Sequence, residues 1–281
     1  MKNNATRWLE SYRRDGYLVV EDCLDGPTLQ RLRRGVEKIT TNPEALAANL
    51  KAHLDFERDY IKRRPGANEL SADDVGNALR NIMELPLFDP MFAELILYPP
   101  LLDVLQCLFG SPEFHFHNYK CIIKAPRVSS AFVWHRDLPY LNHSTANLLT
   151  AMLCLDPMTP ENGATVVLPG THRIAPEQVT AADMDIAEAD LPDVPRVTVT
   201  CPAGAAVLFH VNIIHGGGAN RSTMPRRNVI GIWGGPDTYA ITPARYAYQG
   251  LRPRSTDPAR QRQVRLTFPH CGATSLQGND P

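Results

Sequence analysis

The 281-residue chain carries 29 basic and 30 acidic side chains, for a formal net charge of -1. That balance gives no electrostatic reason to expect a nucleic acid or an anionic membrane as partner. Hydrophobic residues make up 43% and charged residues 21%, a composition that builds a sizeable core and excludes global disorder.

The polar start Met1-Lys2-Asn3-Asn4 leads us to expect no secretory leader, and no apolar run is long enough to cross a bilayer. The 6 cysteines contain no Cys-x-x-Cys pair, a spacing that suits reduced thiols better than a disulfide framework. A soluble, intracellular, cytoplasmic protein is expected. Short basic clusters at Arg13-Arg14, Arg31 with Arg33-Arg34, and Lys62-Arg63-Arg64 are interleaved with acids and read as solvated faces.

In chain order, a helix ends near Asp15-Gly16 and a short strand, Tyr17 to Val20, follows. Asp25-Gly26-Pro27 opens a helix with Leu29, Leu32, Val36 and Ile39 at helical spacing; Pro27 sits where a missing N–H costs nothing. From about Asn42 to Leu87 the chain is helical or irregular, with Pro65-Gly66 as a breaker. Pro99-Pro100 starts an apolar helix through Leu101, Leu102, Val104, Leu105 and Leu108 that stops at Gly110. These helices need a partner for their apolar stripes, which places them on the outside of a sheet.

After Gly110 the period changes to two. Strict alternation over Glu113 to Lys124 puts Phe114, Phe116, Asn118, Lys120 and Ile122 on one face of a strand and His115, His117, Tyr119, Cys121 and Ile123 on the other. Further strands are expected at 147–155, 164–168, 196–201, 205–210 and 228–233. Turn chemistry separates them: Glu161-Asn162-Gly163, Pro169-Gly170, Pro202-Ala203-Gly204 and Gly216-Gly217-Gly218. Many short strands without intervening helices indicate a mainly β fold, an antiparallel sandwich or barrel. The expected organisation is one domain over 1–281: a mostly helical cap at 1–110, a barrel core at 111–235 with an acidic insertion near 175–195, and a C-terminal wrap at 236–281 that frays near Gly278.

The candidate chemistry centres on His135-Arg136-Asp137. A His-x-Asp tripeptide is a weak signal alone, but in an extended segment the two side chains share a face and can reach one cation. His215 stands before a triglycine that leaves room around a metal. Two imidazoles and a carboxylate on one face of a six-coordinate iron leave three positions for co-substrate and oxygen. Eleven residues past His215, Arg226 opens the strand at 228–233, where its planar fork could take a carboxylate bidentately; a surface charge beside Arg227 is the alternative. Zinc at the same three residues, in a cupin-type hydrolase or isomerase, and a non-catalytic barrel that binds a small ligand also fit these residues.

His135-Arg136-Asp137, Pro160-Glu161-Asn162-Gly163 through Gly170-Thr171-His172, and His215 through Asn220 to Pro225-Arg226 together resemble the phytanoyl-CoA dioxygenase family, which includes ectoine hydroxylase. The opening Asp15-Gly16-Tyr17-Leu18-Val19-Val20 is similar to the family's usual start, so the resemblance spans most of residues 10–235. It implies a double-stranded β-helix (a jelly-roll, cupin-like core), an Fe(II)- and 2-oxoglutarate-dependent dioxygenase, and hydroxylation of a small organic substrate by O2 with succinate and CO2 as co-products. His135, Asp137 and His215 are implied as iron ligands and Arg226 as the anchor for the far carboxylate of 2-oxoglutarate. Asn118 and Thr150 match positions of polar contacts to that co-substrate, with Lys120 or Lys124 as alternatives. Related halogenases replace the carboxylate ligand by a small residue, so Asp137 favours hydroxylation or another oxidation over halogenation.

The other histidines read as structural. His172 suits the turn after a strand and His210 a strand end. His115 and His117 share a strand face but have no carboxylate nearby, and His53, His143 and His270 offer no constellation. Phe132, Trp134, Leu138, Tyr140 and Trp233 are candidates to line a substrate pocket, and Arg245, Arg252 and Arg254 to meet an anionic group. The ending Gln277-Gly278-Asn279-Asp280-Pro281 shows no peroxisomal signal, which weighs against an acyl-CoA substrate.

Overall fold

The computed structural model describes residues 2–64 and 68–269. Pro65-Gly66, His270, Cys271 and the expected fraying near Gly278 lie outside the described residues. Helix α1 (Lys2–Asp15) ends at Gly16, whose φ of 81° turns the chain into β1 (Tyr17–Val20). Helix α2 (Gly26–Thr41) is capped by Asp25, which accepts from the Thr28 amide at 2.7 Å, and buries Leu32, Val36 and Ile39. Then come α3 (Ala48–Lys51), β2 (Leu54–Phe56), α4 (Glu57–Arg63), β3 (Leu79–Met83), α5 (Pro90–Glu94) and α6 (Pro99–Phe109). The last of these stops at Gly110, as its sequence indicates.

The remaining elements are β4 (His115–Lys124), β5 (Phe132–His135), α7 (Leu138–Leu141), β6 (Leu148–Cys154), β7 (Thr165–Val167), β8 (Val197–Thr198), β9 (Ala206–His210), β10 (His215–Gly217), β11 (Arg226–Gly234) and α8 (Pro258–Thr267). They form two antiparallel sheets, a seven-stranded one in the order β1-β9-β6-β11-β4-β3-β2 and a four-stranded one in the order β5-β10-β7-β8. Residues 1–110 therefore contribute helices and also three strands, which extend the large sheet at both edges. The strand expected at 196–201 shrinks to Val197–Thr198, because its partner β7 offers only three residues. No single helix among the described residues is long and apolar enough to cross a membrane.

Each face of the large sheet has its own core. On β6 all seven residues are buried, so it reads as a continuous apolar run. Leu149, Ala151 and Leu153 pack outward with α2, α5 and α6. Leu148, Met152 and Cys154 point inward, with Val167, Val199, Val207 and Ile230, and fill the space between the sheets. This is the double-stranded β-helix the sequence resemblance implies.

Strand β4 departs from strict alternation. Its register against β11 slips between Ile232, opposite Asn118, and Trp233, opposite Phe116, leaving His117 as the extra residue of a bulge. Phe116 then joins Tyr119 and Trp233 in the outer core, with ring centroids 4.7 and 5.2 Å away. The two faces read from the sequence are thus exchanged at His117. Trp233, fully buried in that outer core, does not line a substrate pocket.

A buried ion pair that the sequence did not single out steadies the approach to β5. Arg80 and Glu57 are 1% and 0% exposed and pair at 3.2 Å. Arg80 lies between the Tyr60 and Phe132 rings, 3.7 and 4.0 Å from their centroids. Glu57 also accepts from the Ser130 amide at 2.7 Å, so both residues hold the segment leading to His135. Arg80→Ala should destabilise the fold by about 3–5 kcal/mol, because it strands a buried carboxylate. Urea unfolding with an unchanged m-value checks this.

The 175–195 insertion forms three single 3-10 turns and docks beside His135. Asp183 takes Arg136 Nε at 2.8 Å, and Ile186 bridges Trp134.

Candidate active site

The pairing of β5 with β10 sets His135 directly opposite His215, so two histidines far apart in sequence bring their rings to 4.2 Å between centroids. Asp137 follows in the turn into α7, its amide donating to Val211 O at 2.8 Å. Its Oδ1 lies 3.7 Å from His135 Nε2 and 3.9 Å from His215 Nε2. Among the described residues this is the one group of three His, Cys, Asp or Glu side chains whose ligand atoms converge closely enough, all within 4.8 Å, to hold a metal ion.

The tautomers follow from backbone partners. His135 Nδ1 lies 2.8 Å from Val133 O, and His215 Nδ1 lies 3.1 Å from Ile213 O. A carbonyl only accepts, so each Nδ1 carries a hydrogen, and each Nε2, on the Asp137 side, is the ring nitrogen left to serve as a metal ligand. Burial, then the neighbouring His215, pushes the His135 imidazolium down to about 4. Burial alone would raise Asp137, but His215, His135, Lys120 and the Thr150 hydrogen bond outweigh it and hold the carboxyl below its usual range. Two imidazoles and one carboxylate suit a divalent first-row metal.

Thr150 Oγ1 donates to Asp137 Oδ2 at 2.5 Å, which leaves Oδ1 facing the histidines. The structure thus sets Thr150 against the carboxylate of the triad. Thr150→Val should lower metal affinity about 10- to 100-fold without unfolding the protein, as measured by cobalt(II) titration followed by absorption.

The triad opens on a cleft whose lining includes Lys120, Thr150, Phe132 and Arg226. Arg226 is 3% exposed. Its Nη1 donates to Gly163 O at 2.9 Å and rests 3.7 Å from Met158 Sδ, while Nε has no hydrogen-bond partner. Its neighbour Arg227 points elsewhere and pairs with Asp156 at 2.8 Å, so the surface-charge alternative belongs to Arg227. Burial pulls the Arg226 guanidinium down to about 10, leaving it charged at neutral pH. A buried cation with an unused N–H, facing a cleft, fits an anionic guest such as the far carboxylate of 2-oxoglutarate.

Gly163 shapes this end of the cleft. Its φ is 74°, and a Cβ there would lie 2.3 Å from Gly218 O and 2.8 Å from Ala219 O. The turn at 161–163 can therefore press against the triglycine after His215 and present its carbonyl to Arg226 only with glycine.

The two other polar candidates separate. Asn118 lies in one sheet row with Ile232 and Thr150, and its buried Oδ1 has no partner, but it does not line the cleft. Lys120 does. Lys124 is fully buried and donates to Ser130 O at 3.0 Å and to Gly218 O, so it ties together the segments flanking β5 and following β10. Burial, then Arg226 and Arg80, push its ammonium well below the usual lysine range.

Of the remaining histidines, His210 ends β9 and takes the Asn212 amide at 3.0 Å, and His172 packs against Gly16. His115 stacks on His143 and His117 meets it edge-on, with centroids 6.2 and 4.7 Å away. Arg254 is committed to Asp103 at 2.5 Å.

Comparison with known proteins follows the same outline. A family described as Phytanoyl-CoA dioxygenase (PhyH) matches residues 12–228. Ectoine dioxygenase of Sphingopyxis alaskensis is 25% identical over 250 residues, covering 82% of this chain and 75% of that protein. L-proline trans-4-hydroxylase of Streptomyces griseoviridis is 25% identical over 240 residues, covering 76% and 81%. Among solved structures, the non-heme α-ketoglutarate-dependent epimerase SnoN from nogalamycin biosynthesis superposes with a TM-score of 0.66 at 21% identity, covering 92% of this chain and 93% of that one. At that identity the likeness speaks for the fold.

Proposed function

The chain belongs to the phytanoyl-CoA dioxygenase family, and on that premise we propose that His135, Asp137 and His215 bind iron(II) and that Arg226 anchors 2-oxoglutarate in the cleft beside them. The protein is an iron(II)- and 2-oxoglutarate-dependent dioxygenase acting on a small organic molecule, and hydroxylation of a C–H bond is the outcome this reading favours. The observation that carries it is the convergence of two histidine side chains and one carboxylate on a cleft whose lining includes a buried guanidinium with no hydrogen-bond partner for its Nε among the described residues.

When bound, iron and 2-oxoglutarate supply the oxidising chemistry, consuming O2 and releasing succinate and CO2. The chain supplies aim and charge. Val133 O and Ile213 O fix the two imidazoles, Thr150 orients the carboxylate, and Arg226 fixes one end of the co-substrate. Lys120 adds a second basic side chain to a cleft whose one acid, among the described residues, is Asp137. Retention of Asp137 as a carboxylate supports hydroxylation over halogenation. Residues 1–281 are read as one catalytic domain, with the barrel at 111–235.

The test is an anaerobic titration of the protein with iron(II) and 2-oxoglutarate, watching for their charge-transfer absorption band, followed by oxygen-consumption and succinate assays over a library of small molecules. Neither a band nor succinate under any condition, together with hydrolysis by the zinc-loaded protein, would favour the cupin-type hydrolase instead.

A further inference from the structure

Four sulfur side chains gather near Arg226, and one of them, Met152, also lines the cleft. Met158 Sδ lies 3.7 Å from Arg226 Nη1 and 3.6 Å from Asn228 Nδ2, and Met152 Sδ lies 2.9 Å from the same Asn228 nitrogen. Beside them, Cys154 Sγ and Cys201 Sγ are 3.6 Å apart although 47 residues separate them in sequence. All the described cysteines are free thiols. We propose that Cys154 and Cys201 form an oxidisable dithiol, closed to a disulfide by hydrogen peroxide, and that closing it weakens the co-substrate end of the cleft through Met158 and Arg226. The coupling to the cleft rests on the reading of Arg226 given above; the dithiol does not.

Geometry supports closure. A disulfide needs about 2 Å between its sulfurs, so the pair must approach by roughly 1.5 Å. Of the two, Cys201 lies outside the long strands. Cys154 ends β6, and Cys201 sits in an isolated bridge with Met158, Met158 N donating to Cys201 O at 2.9 Å and Cys201 N to Met158 O at 3.3 Å. Drawing Cys201 toward Cys154 therefore pulls on Met158, whose sulfur rests on the guanidinium.

The two thiols also differ in the way that a dithiol reaction uses. The Cys154 thiol beside it, and then Met158 and Arg226, hold Cys201 below the usual thiol range despite burial. Cys154 is pushed well above that range by the same contact and by its own burial. Burial raises Cys23 and Cys121 to about 12, so they are poor nucleophiles. In the reaction the Cys201 thiolate attacks one peroxide oxygen, the O–O bond breaks, and hydroxide leaves a sulfenic acid behind. The Cys154 sulfur then attacks the Cys201 sulfur, the S–O bond breaks, and water departs. The two thiols lose two protons and two electrons, and peroxide becomes two waters.

The full chain loaded with manganese(II), which accepts the same ligand set, is treated with hydrogen peroxide, denatured, alkylated and mapped by mass spectrometry. The expected result is a Cys154–Cys201 linked peptide, loss of two hydrogens in mass, and a 2-oxoglutarate Kd raised several-fold and restored by dithiothreitol. Cys201→Ser should form no link, and its Kd should not respond to peroxide. Persistence of both thiols, or added oxygen without the link, would overturn the dithiol. A link in wild type with an unchanged Kd, while Arg226→Ala binds 2-oxoglutarate poorly, would overturn the coupling alone. A link with an unchanged Kd and normal binding by Arg226→Ala would instead overturn the role given to Arg226.

Discussion

Asp137→Ala is expected to abolish turnover, a fall of at least about 10³-fold or roughly 4 kcal/mol in the barrier. The alanine removes the one anionic donor of the triad, leaving two neutral imidazoles to hold a dication, and it strands the Thr150 hydroxyl that now donates to Oδ2 at 2.5 Å. Because the Asp137 carboxylate faces the two histidines and takes the Thr150 hydroxyl, the loss should register in metal affinity before it registers in stability. The measurement pairs substrate-dependent succinate formation with iron content after dialysis, and circular dichroism checks the fold. Succinate formation that persists at a comparable rate would remove Asp137 from the ligand set.

Arg226→Ala should weaken 2-oxoglutarate binding by about 2–5 kcal/mol, the usual cost of removing one partner of a buried charged hydrogen-bonded pair. That corresponds to a Kd raised about 30- to several-thousand-fold. Metal affinity should stay as it is, since Arg226 is not among the three ligands. Arg226→Lys should recover only part of the loss, because an ammonium is a point charge without the planar fork. The readout is the anaerobic titration with iron(II) present, and an unchanged titration would contradict the placement of the anchor.

Several elements were legible because their signals are local. The Asp25 cap with Pro27 opens α2, Gly110 closes α6, and the strands at 148–154, 165–167, 206–210 and 226–234 lie where period-two patterning and Gly/Pro punctuation place them. His135 and Asp137 were legible as a pair because two residues apart on extended chain means one face. Other features were not legible. The β4 bulge at His117 depends on how β11 registers against it, and no residue of β4 announces it. Lys120 and Lys124 look alike in sequence, yet one lines the cleft and the other is spent on the carbonyls of Ser130 and Gly218. Glu57 and Arg80 read as ordinary charges in a polar stretch, and only burial between two aromatic rings reveals them as a pin on the segment before β5.

By itself, then, the sequence determined a mainly β chain, its cap helices, and the residues able to ligate a metal and pair with a carboxylate. Those properties depend on residue type and on spacing within a few positions. Tertiary structure alone decided which of those residues meet: His215 opposite His135, Thr150 on Asp137, Gly163 on Arg226, and Cys201 beside Cys154. The reason is that sheet register and the packing of two sheets are set by the summed burial of many side chains, a quantity spread along the whole chain and readable from no single motif.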